Sequence, residues 1–342
     1  MIGEEISSML SLGKIPPEIL ERTVFKYIGT RREDVILGAS KGEDAAIVRV
    51  GNRLLVLKCD PISGAIERIG WLAVNVVTND IATRGVRPSW ILSCIMLPEG
   101  SGENVLKTIS KQMDEAAKNL GVTIVGGNSE ITPGLNHPLV IASAIGVIQG
   151  KHYVTSANTK PGNTIILTKG AGIEGTAILA SDRSMILKKE FGKHFVDVAK
   201  EYFKEISVVK EALTAFNYGG VSSMHDPTEG GVAGGIHELC DASNTGFKVY
   251  EEKIIIKRET SKICSFFKIN PLNLIGSGSL LIVADISKAD GIVKQLAKER
   301  IESSIIGEIL GKRDSRIIVR RNGLEETLPK PVSDDLWVAL SR

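Results

Sequence analysis

Apolar and polar positions between Gly70 and Pro88 follow the period of a helix. One apolar stripe contains Ile69, Leu72, Ala73, Val76, Val77 and Ile81. A second, polar stripe contains Asn75, Asn79 and Thr83, with Asp80 beside it. Two interpretations stay open. The polar side chains bind nearby backbone in a buried helix, or they are directed at a ligand from a helix packed on a sheet.

The same patterns predict alternating strands and helices through the first half of the chain. A helical preamble at 18–27 follows Pro16-Pro17, and an amphipathic helix covers 104–120. Strands are predicted at 47–50 and 54–57, joined by a Gly51-Asn52 turn, and at 89–96, 122–125 and 139–149. The alternation from about residue 42 to 150 is typical of an α/β sandwich.

A turn at 159–163 suggests a boundary between two domains, 1–155 and 156–342. In the second domain, strands are predicted at 164–168, 247–250, 280–284, 303–308 and 317–319. Helices are predicted at 175–180, 195–204, 208–216, 287–298 and from the DPTEGG segment to Cys240. The tail at 334–342 is predicted to be a short helix or strand.

Composition and charge exclude several classes of function. The 342 residues carry a formal net charge of +2, so no basic surface for nucleic acid or acidic membranes is expected. No apolar run is long enough to span a bilayer, and the acidic N-terminus is unlike a signal peptide. The four cysteines lie far apart without a C-x-x-C pair, which favours a reducing cytoplasm and argues against a zinc site.

Five acidic residues stand where apolar segments meet turns: Asp44, Asp60, Asp80, Glu130 and Asp226. Magnesium is held by one or two carboxylates together with nucleotide phosphates, so acids from separate loops could converge on one Mg–ATP. Each acid alone could equally be a turn or cap residue. The full set favours a magnesium–nucleotide site.

Two glycine pairs could supply bare N–H groups to phosphates. These are Gly126-Gly127 and Gly230-Gly231, the second at a predicted helix N-terminus, where the helix dipole favours anions. His225 adjoins Asp226 and could face the same site. The G-x-G-x-x-G segment at 170–175 lacks the acid that a dinucleotide site needs about twenty residues on. We interpret it as a tight turn, with Lys169 near a phosphate.

Seven motifs occur in one order across nearly the whole chain. They are GEDAA at 42–46, Asp60 after a strand, N-D-I-A-x-x-G-x-x-P at 79–88, GGNSE at 126–130, the KPG-to-TKG run at 160–170, DPTEGG at 226–231 and GSG at 276–278. This ordered set resembles the aminoimidazole-ribotide (AIR) synthase superfamily. Within it, the chain looks most like the hydrogenase-maturation protein HypE and the AIR-synthase-related proteins near it.

The resemblance implies a two-domain α/β (α+β) fold, with an N-terminal mixed-sheet domain that forms a homodimer and ATP bound next to the C-terminal domain. It implies ATP and Mg²⁺ as cofactors, with Asp44, Asp60, Asp80 and Asp226 as metal ligands. Asp80 and Asp226 would also be catalytic. The implied nucleotide-binding residues are Asp44, Asp60, Asn79, Asp80, Gly126, Gly127, Asn128, Glu130, Thr228 and Gly230.

The implied chemistry is phosphorylation, by ATP, of an amide-type oxygen or another poor nucleophile. The sequence departs from HypE in lacking its C-terminal Cys tail and its His- and Gly-rich N-terminal loop, and in having Glu229 where HypE has arginine. Two alternatives therefore stay open. One is a non-catalytic nucleotide-binding partner in a maturation or biosynthetic complex, and the other is a thiamine-monophosphate-kinase-like phosphotransferase. The acceptor, a small molecule or a protein, is not identified.

Overall fold

The computed structural model describes Leu10 and residues 13–63, 67–150 and 152–342. These residues build two mixed β-sheets, each with helices packed against it, so the predicted α/β (α+β) class is confirmed. The predicted domain limits of 1–155 and 156–342 stay a prediction. No helix in the described ranges combines the length and apolar character needed to cross a bilayer.

The first sheet has six strands in the order β1-β2-β3-β6-β4-β5. The strands are β1 (Val35–Leu37), β2 (Ala46–Val50), β3 (Arg53–Ile62), β4 (Pro88–Leu97), β5 (Thr123–Ile131) and β6 (Leu139–Val147). Its helices are α1 (Pro17–Arg22), α2 (Ile69–Ala82) and α3 (Glu103–Leu120). The predicted hairpin at Gly51-Asn52 is present, because β2 pairs antiparallel with β3. The predicted preamble helix ends at Arg22, five residues early.

Helix α2 lies at the centre of the molecule, and all fourteen of its residues are buried. Its apolar stripe packs on β3 and β6, as the periodicity predicts. Its other side meets the second half of the chain: the Trp71 indole N–H donates to the Phe203 carbonyl at 2.6 Å. The helix is therefore enclosed on every side. This explains why Asn and Thr stand among valines, because their side chains can bind buried polar groups that would otherwise lack a partner.

The opposite face of the first sheet is uncovered by any described element and is largely apolar. Cross-strand neighbours place Leu57, Ile145 and Trp90 in one row, and Cys59, Ser143 and Leu92 in the next. Trp90 is 41% exposed and Leu92 is 43% exposed. An apolar sheet face of this kind is typical of a surface that another protein covers.

The second sheet has seven strands in the order β13-β12-β9-β11-β7-β10-β8. They are β7 (Thr164–Thr168), β8 (Val221–His225), β9 (Gly246–Tyr250), β10 (Leu281–Ala284), β11 (Ser303–Leu310), β12 (Arg316–Val319) and β13 (Glu325–Thr327). Every residue of β7 and β10 is buried. Continuous apolar strands of this type require helices or loops on both faces.

The helices of the second half are α4 (Ile173–Asp182), α5 (Ser184–Phe191), α6 (Lys193–Lys200), α7 (Val209–Tyr218), α8 (Gly231–Ser243), α9 (Arg258–Phe267), α10 (Ile286–Lys298) and α11 (Asp335–Leu340). The tail is thus a helix, one of the two predicted options. Helices α5 and α9 and strands β8 and β13 were not predicted. The predicted helix at 195–204 begins two residues earlier and changes to a 3₁₀ turn at Glu201.

Candidate functional site

Four of the predicted acids converge between the two sheets. Asp44 lies in the loop before β2, Asp60 lies within β3 rather than at its end, Asp80 lies on α2, and Asp226 follows β8. Donor atoms of Asp44, His225 and Asp226 all lie within 4.8 Å of one another. The Lys58 ammonium lies 3.3 Å from Asp60 and 3.0 Å from Asp80. The structure therefore assembles these acids from distant parts of the chain.

Asp226 is the least satisfied member of this cluster. Its side chain is buried, and neither carboxylate oxygen has a hydrogen-bond partner among the described residues. Burial raises its pKa well above the ordinary value, and the neighbouring charges of Asp80 and Asp44 raise it further. A buried carboxyl group with two free oxygens has a strong electrostatic demand for a cation.

Asp60 also favours a cation nearby, but less strongly than Asp226. Burial, followed by the charge of Asp80, raises the pKa of Asp60 to about 8, although Lys58 opposes the shift. The pKa of Lys58 is itself raised, because its attraction to Asp80 and Asp60 outweighs burial, which would lower it. We refer to Asp60, Asp80 and Asp226 as the acid group. Lys58 shows that a positive charge is stabilised beside it.

The other side of the site is held by ion pairs. His225 Nδ1 lies 2.9 Å from Asp44, and His225 Nε2 lies 3.0 Å from Glu238. Burial would lower the pKa of His225, but Asp44 and Glu238 raise it to about 10. Burial opposes ionisation of Glu238, yet Lys14 and His225 hold its pKa at about 2. Asp44 likewise has a lowered pKa, since His225 and Arg84 outweigh its burial. His225 is thus an imidazolium between two carboxylates.

Arg84 completes this ion-paired side from the C-terminal end of α2. Its side chain is fully buried, with guanidinium nitrogens 2.9 Å from Glu43 and 3.3 Å from Asp44. Glu43 also accepts hydrogen bonds from the backbone of Ser156 and Ala157. We refer to Glu43, Asp44, Arg84, His225 and Glu238 as the ion-paired group.

The residues fit a divalent cation such as Mg²⁺. Six acidic side chains (the acid group with Glu43, Asp44 and Glu238) face four basic ones (Lys14, Lys58, Arg84 and His225), so carboxyl groups outnumber basic groups by two, and the raised pKa values of Asp60 and Asp226 reflect this excess. Carboxylate oxygens are the ligands that Mg²⁺ prefers. His225 does not fit as a ligand, because both of its ring nitrogens are engaged by carboxylates.

The segment Gly126–Glu130 does not join this cluster within one chain. It is not the predicted loop but part of β5, an exposed edge strand. Gly127 lies in one cross-strand row with Asp60, separated from it by β6 and β4, or about 14 Å at ordinary strand spacing. Asn128 and Glu130 pair with Cys94 and Met96 on the uncovered face, and their side chains bind each other at 3.3 Å.

Three of the glycines predicted to bind phosphate, Gly127, Gly230 and Gly231, are engaged within the chain. A Cβ atom at Gly127 would lie 1.8 Å from the Ser93 carbonyl oxygen, so the close approach of β4 requires glycine. The Gly230 N–H is not bare but donates to Asp334 at 2.7 Å. The N–H of Gly231 donates to the Thr228 carbonyl oxygen. The prediction of free amides at 230–231 is wrong for these two groups.

Asn79 and Lys169 also bind their own chain. The Asn79 amide donates to the Ile206 carbonyl oxygen at 2.9 Å and accepts from the Val208 N–H at 2.8 Å. The structure thus favours backbone pairing for Asn79, one of the two interpretations of the polar stripe, and its nucleotide role stays a prediction. Lys169 lies 2.6 Å from Glu211 and donates to two carbonyl oxygens, and its predicted place near a phosphate stays a prediction.

Sequence reasoning missed the basic residues and three acids of the site: Lys14, Lys58, Arg84, Glu43, Glu238 and Asp334. Two of them had a local signal, since Lys58 alternates with Asp60 along β3 and Glu43 adjoins Asp44. Glu238 lies two turns into α8 and Arg84 just past α2, and only the fold brings them to Asp44 and His225.

The residues around Lys14 form one wall of a groove beside the cluster. A cavity of about 140 Å³ is lined by Asp44, Lys58 and Lys14, among others. A larger cavity of about 340 Å³ continues from Lys14 to Glu229 and Asp334. The Lys14 N–H donates to Glu229 at 2.6 Å, and its ammonium lies 3.1 Å from Glu238. The groove is large enough for a small-molecule ligand that reaches Lys58 and Asp44.

Comparison with known proteins identifies the family and the fold of the chain. Residues 42–148 match the family model "AIR synthase related protein, N-terminal domain", and residues 160–320 match the C-terminal domain of the same family. The carbamoyl dehydratase HypE of Rhizobium leguminosarum is 28% identical, over 71% of this chain and 68% of its own. The carbamoyl dehydratase HypE of Escherichia coli is 25% identical, over 85% and 86% respectively.

Solved structures of HypE proteins have the same fold. The HypE in a HypE–HypF complex superposes with a TM-score of 0.76 at 25% identity, covering 91% of this chain and 99% of its own. A HypE solved in complex with ATP superposes with a TM-score of 0.70 at 22% identity, covering 84% and 88%. At 22% identity, the similarity to the ATP-bound HypE shows a shared fold and nothing more.

Proposed function

The chain belongs to the AIR synthase related family, and from this premise we propose that it is an ATP-dependent enzyme of the HypE type. It would use Mg–ATP to phosphorylate an amide-type oxygen, or another acceptor, in hydrogenase maturation. The HypE relatives support this proposal, since two of them are named carbamoyl dehydratases and one was solved with ATP. The family alone would not decide it, because one fold can host several chemistries.

The observation that carries the proposal is the state of Asp226. A buried carboxyl group with no partner for either oxygen destabilises the fold by about 1–3 kcal/mol. Such a group is retained when a ligand satisfies it. Asp226, Asp80, Asp60 and Asp44 would hold the metal, with Asp226 and Asp80 nearest the reacting groups. Bound Mg²⁺ would neutralise phosphate charge and polarise the transferring phosphoryl group.

The chain's own residues would act mainly by positioning and charge. The Lys58 ammonium, now between Asp60 and Asp80, is placed to pair with a phosphate oxygen once a metal takes over these carboxylates. The ion-paired group would keep Asp44 ionised and fixed. In the transfer, the acceptor oxygen bonds to the γ-phosphorus as the bond to ADP breaks. The oxygen then carries phosphate and can depart with it.

We further propose that two copies pair through the uncovered apolar face of the first sheet. Trp90, Leu92 and Ile145 on that face support a homodimer, because water-exposed apolar surface favours association. Asn128 and Glu130 lie on the same face, so in such a dimer they would lie near residues of the second copy. A protein partner is also proposed, since one HypE relative was solved with HypF. The predicted compartment remains the cytoplasm, and all four cysteines are free thiols.

The test is equilibrium binding of ATP, with and without Mg²⁺, to wild type and to Asp80→Ala. We expect metal-dependent binding that the variant loses, while Asp114→Asn on the exposed side of α3 binds like wild type. ADP formation is then followed across acceptors, with thiamine phosphate included. Tight binding without ADP formation would favour the non-catalytic partner, and absence of binding by wild type would overturn the proposal. Sedimentation of wild type and Leu92→Asp tests the dimer.

A further inference from the structure

A second cavity, of about 70 Å³, lies at the far end of the groove from Asp44. Three carboxyl groups line it from three separate elements: Glu174 on α4, Glu229 before α8, and Asp334 before α11. Among the residues that the structure describes, the remaining lining is apolar or neutral and contains no lysine, arginine or histidine. The volume accommodates a few water molecules or one small functional group. Its walls therefore present three carboxyl groups to a small, partly enclosed space.

Glu174 points to a ligand here, since it is only 3% exposed and its Oε2 atom has no hydrogen-bond partner among the described residues. Burial raises the pKa of Glu174 to about 7, opposed in part by the adjacent Ser277. Its place in the first turn of α4 favours a negative charge but leaves this oxygen unsatisfied. An unsatisfied buried oxygen that lines a cavity is suited to accept a hydrogen bond from a bound group.

Asp334 differs from Glu174, because it has a structural role. It accepts hydrogen bonds from the N–H groups of Gly230, Ile275 and Leu336, and it caps α11. It therefore ties the cavity to the turn that carries Asp226. The side chain of Trp337 forms part of the wall, and its buried indole nitrogen also has no described partner. An aromatic ring beside carboxylates is a common environment for bound cations.

We propose that this cavity is the acceptor subsite and that it binds a cationic nitrogen group, an ammonium or a guanidinium, on the acceptor molecule. The identification of the bound molecule as the acceptor rests on the proposed function, whereas the binding of a cation does not. The position supports the assignment: Glu229 and Asp334 line both this cavity and the groove, which continues past Lys14 to Lys58. A molecule anchored here would extend toward the acid group.

The test follows the ¹⁵N–¹H NMR signal of the Trp337 indole while small probe molecules are added. This signal is assigned because it is absent from the spectrum of Trp337→Phe. Wild-type protein is titrated with propylammonium, propylguanidinium, propionamide and propionate. We expect the two cations to shift the signal in a saturable way, with Kd about tenfold below that of propionamide. We expect propionate to cause no shift. Equal affinity for cations and propionamide would overturn the proposal.

Glu174→Gln keeps the size of the side chain but removes its charge, so it should weaken cation binding about tenfold. The control Glu115→Gln, on the exposed side of α3, should bind like wild type. If Glu174→Gln does not fold, Glu229→Gln tests the same charge at a half-buried wall position and should weaken binding in the same direction. Unchanged cation affinity in the folded variants would contradict the proposal.

The two proposals can fail separately. Mg–ATP binding by wild type without any cation-induced shift would overturn the subsite alone. Cation binding without Mg–ATP binding would overturn the proposed function and leave the cation site standing. Glu174→Gln should bind Mg–ATP within about twofold of wild type, a difference well under 1.4 kcal/mol.

Discussion

The ion-paired group and the acid group occupy adjacent parts of one site but are built in opposite ways. In the first, every carboxylate has a cationic partner within 3.3 Å, so that Asp44 is stabilised in its ionised form. In the second, Asp60 and Asp80 share one lysine, and Asp226 has no partner among the described residues. The first group fixes geometry, whereas the second retains unfavourable charge that a ligand can relieve.

The largest expected effect comes from removing the central cation of the ion-paired group. Arg84→Met leaves Glu43 and Asp44 buried with one partner fewer, which should lower the free energy of unfolding by about 3–5 kcal/mol. Urea denaturation measures it. Arg87→Met, at an exposed position nearby, should stay within about 0.5 kcal/mol of wild type. An Arg84→Met protein as stable as wild type would show that these ion pairs do not hold the site.

The second prediction concerns the acid group. Asp226→Asn should weaken Mg–ATP binding about 100-fold, or ~2.7 kcal/mol, because it removes a proposed metal ligand. Without ligand, its free energy of unfolding should equal or exceed that of wild type, since the variant mimics the protonated form that burial favours. Calorimetric titration and urea denaturation measure the two quantities. Loss of stability together with unchanged binding would reverse the roles of the two groups.

The third prediction separates the groups by pH. The pKa of His225 is raised to about 10 from its ordinary 6.5, so its contribution to stability is complete below pH 6.5 and is lost between pH 6.5 and about 10. His225→Gln should therefore be less stable than wild type by about 1–3 kcal/mol at pH 6, and the difference should shrink toward pH 10.

Asp60 gives the contrasting profile in the absence of metal. Its pKa is raised to about 8, so protonation favours the fold, and its contribution to stability is lost as the pH rises from about 4 to about 8. Asp60→Asn should remove this part of the decline, and Mg–ATP should reduce it in wild type. Unfolding curves recorded from pH 5 to 10 test both profiles. A constant difference between His225→Gln and wild type across this range would contradict the ion-pair assignment.

The smallest effect is expected at the edge of the ion-paired group. The Lys14 side chain is about half exposed, so its pair with Glu238 should contribute less than about 1 kcal/mol. Lys14→Met should lower stability by that amount at low salt and by nothing measurable in 1 M salt. Lys118→Met removes an exposed helix pair with Asp114 and is the matched control. A salt-independent loss would mean that Lys14 acts through packing.

Periodicity was sufficient for elements with one apolar stripe. Helix α3 and strands β4 and β6 were predicted within about two residues, because each buries one face. Helix α2, which is enclosed on every side, ends at Ala82, six residues before the end of the predicted segment. Strand β5 was read as a loop after Val125, since Gly126 to Glu130 carry no apolar residue. This segment is a strand because its backbone pairs with β4, and backbone pairing cannot be recognised from the pattern of side chains. Helix α9 did carry a signal, with Thr260, Ile263, Cys264 and Phe267 at helical spacing.

The four acids Asp44, Asp60, Asp80 and Asp226 were predictable because each stands in a recognisable motif. Their partners were not, since Arg84 and Glu238 become neighbours of Asp44 and His225 only in the folded chain. For the same reason the sequence could not show that Gly230 donates to Asp334, more than one hundred residues away. The motifs therefore predicted which residue types meet, and only the fold shows which hydrogen bonds they make.

The enclosure of α2 also bears on how the chain could be divided. Asn79 hydrogen-bonds to both sides of Ser207, and Trp71 hydrogen-bonds to Phe203, so a helix of the first half is fastened to the second half by side chains alone. A backbone cut in the connection between β6 and β7 would leave these contacts in place. Two coexpressed fragments should then assemble with each other, whereas either fragment expressed alone would expose an apolar surface and aggregate.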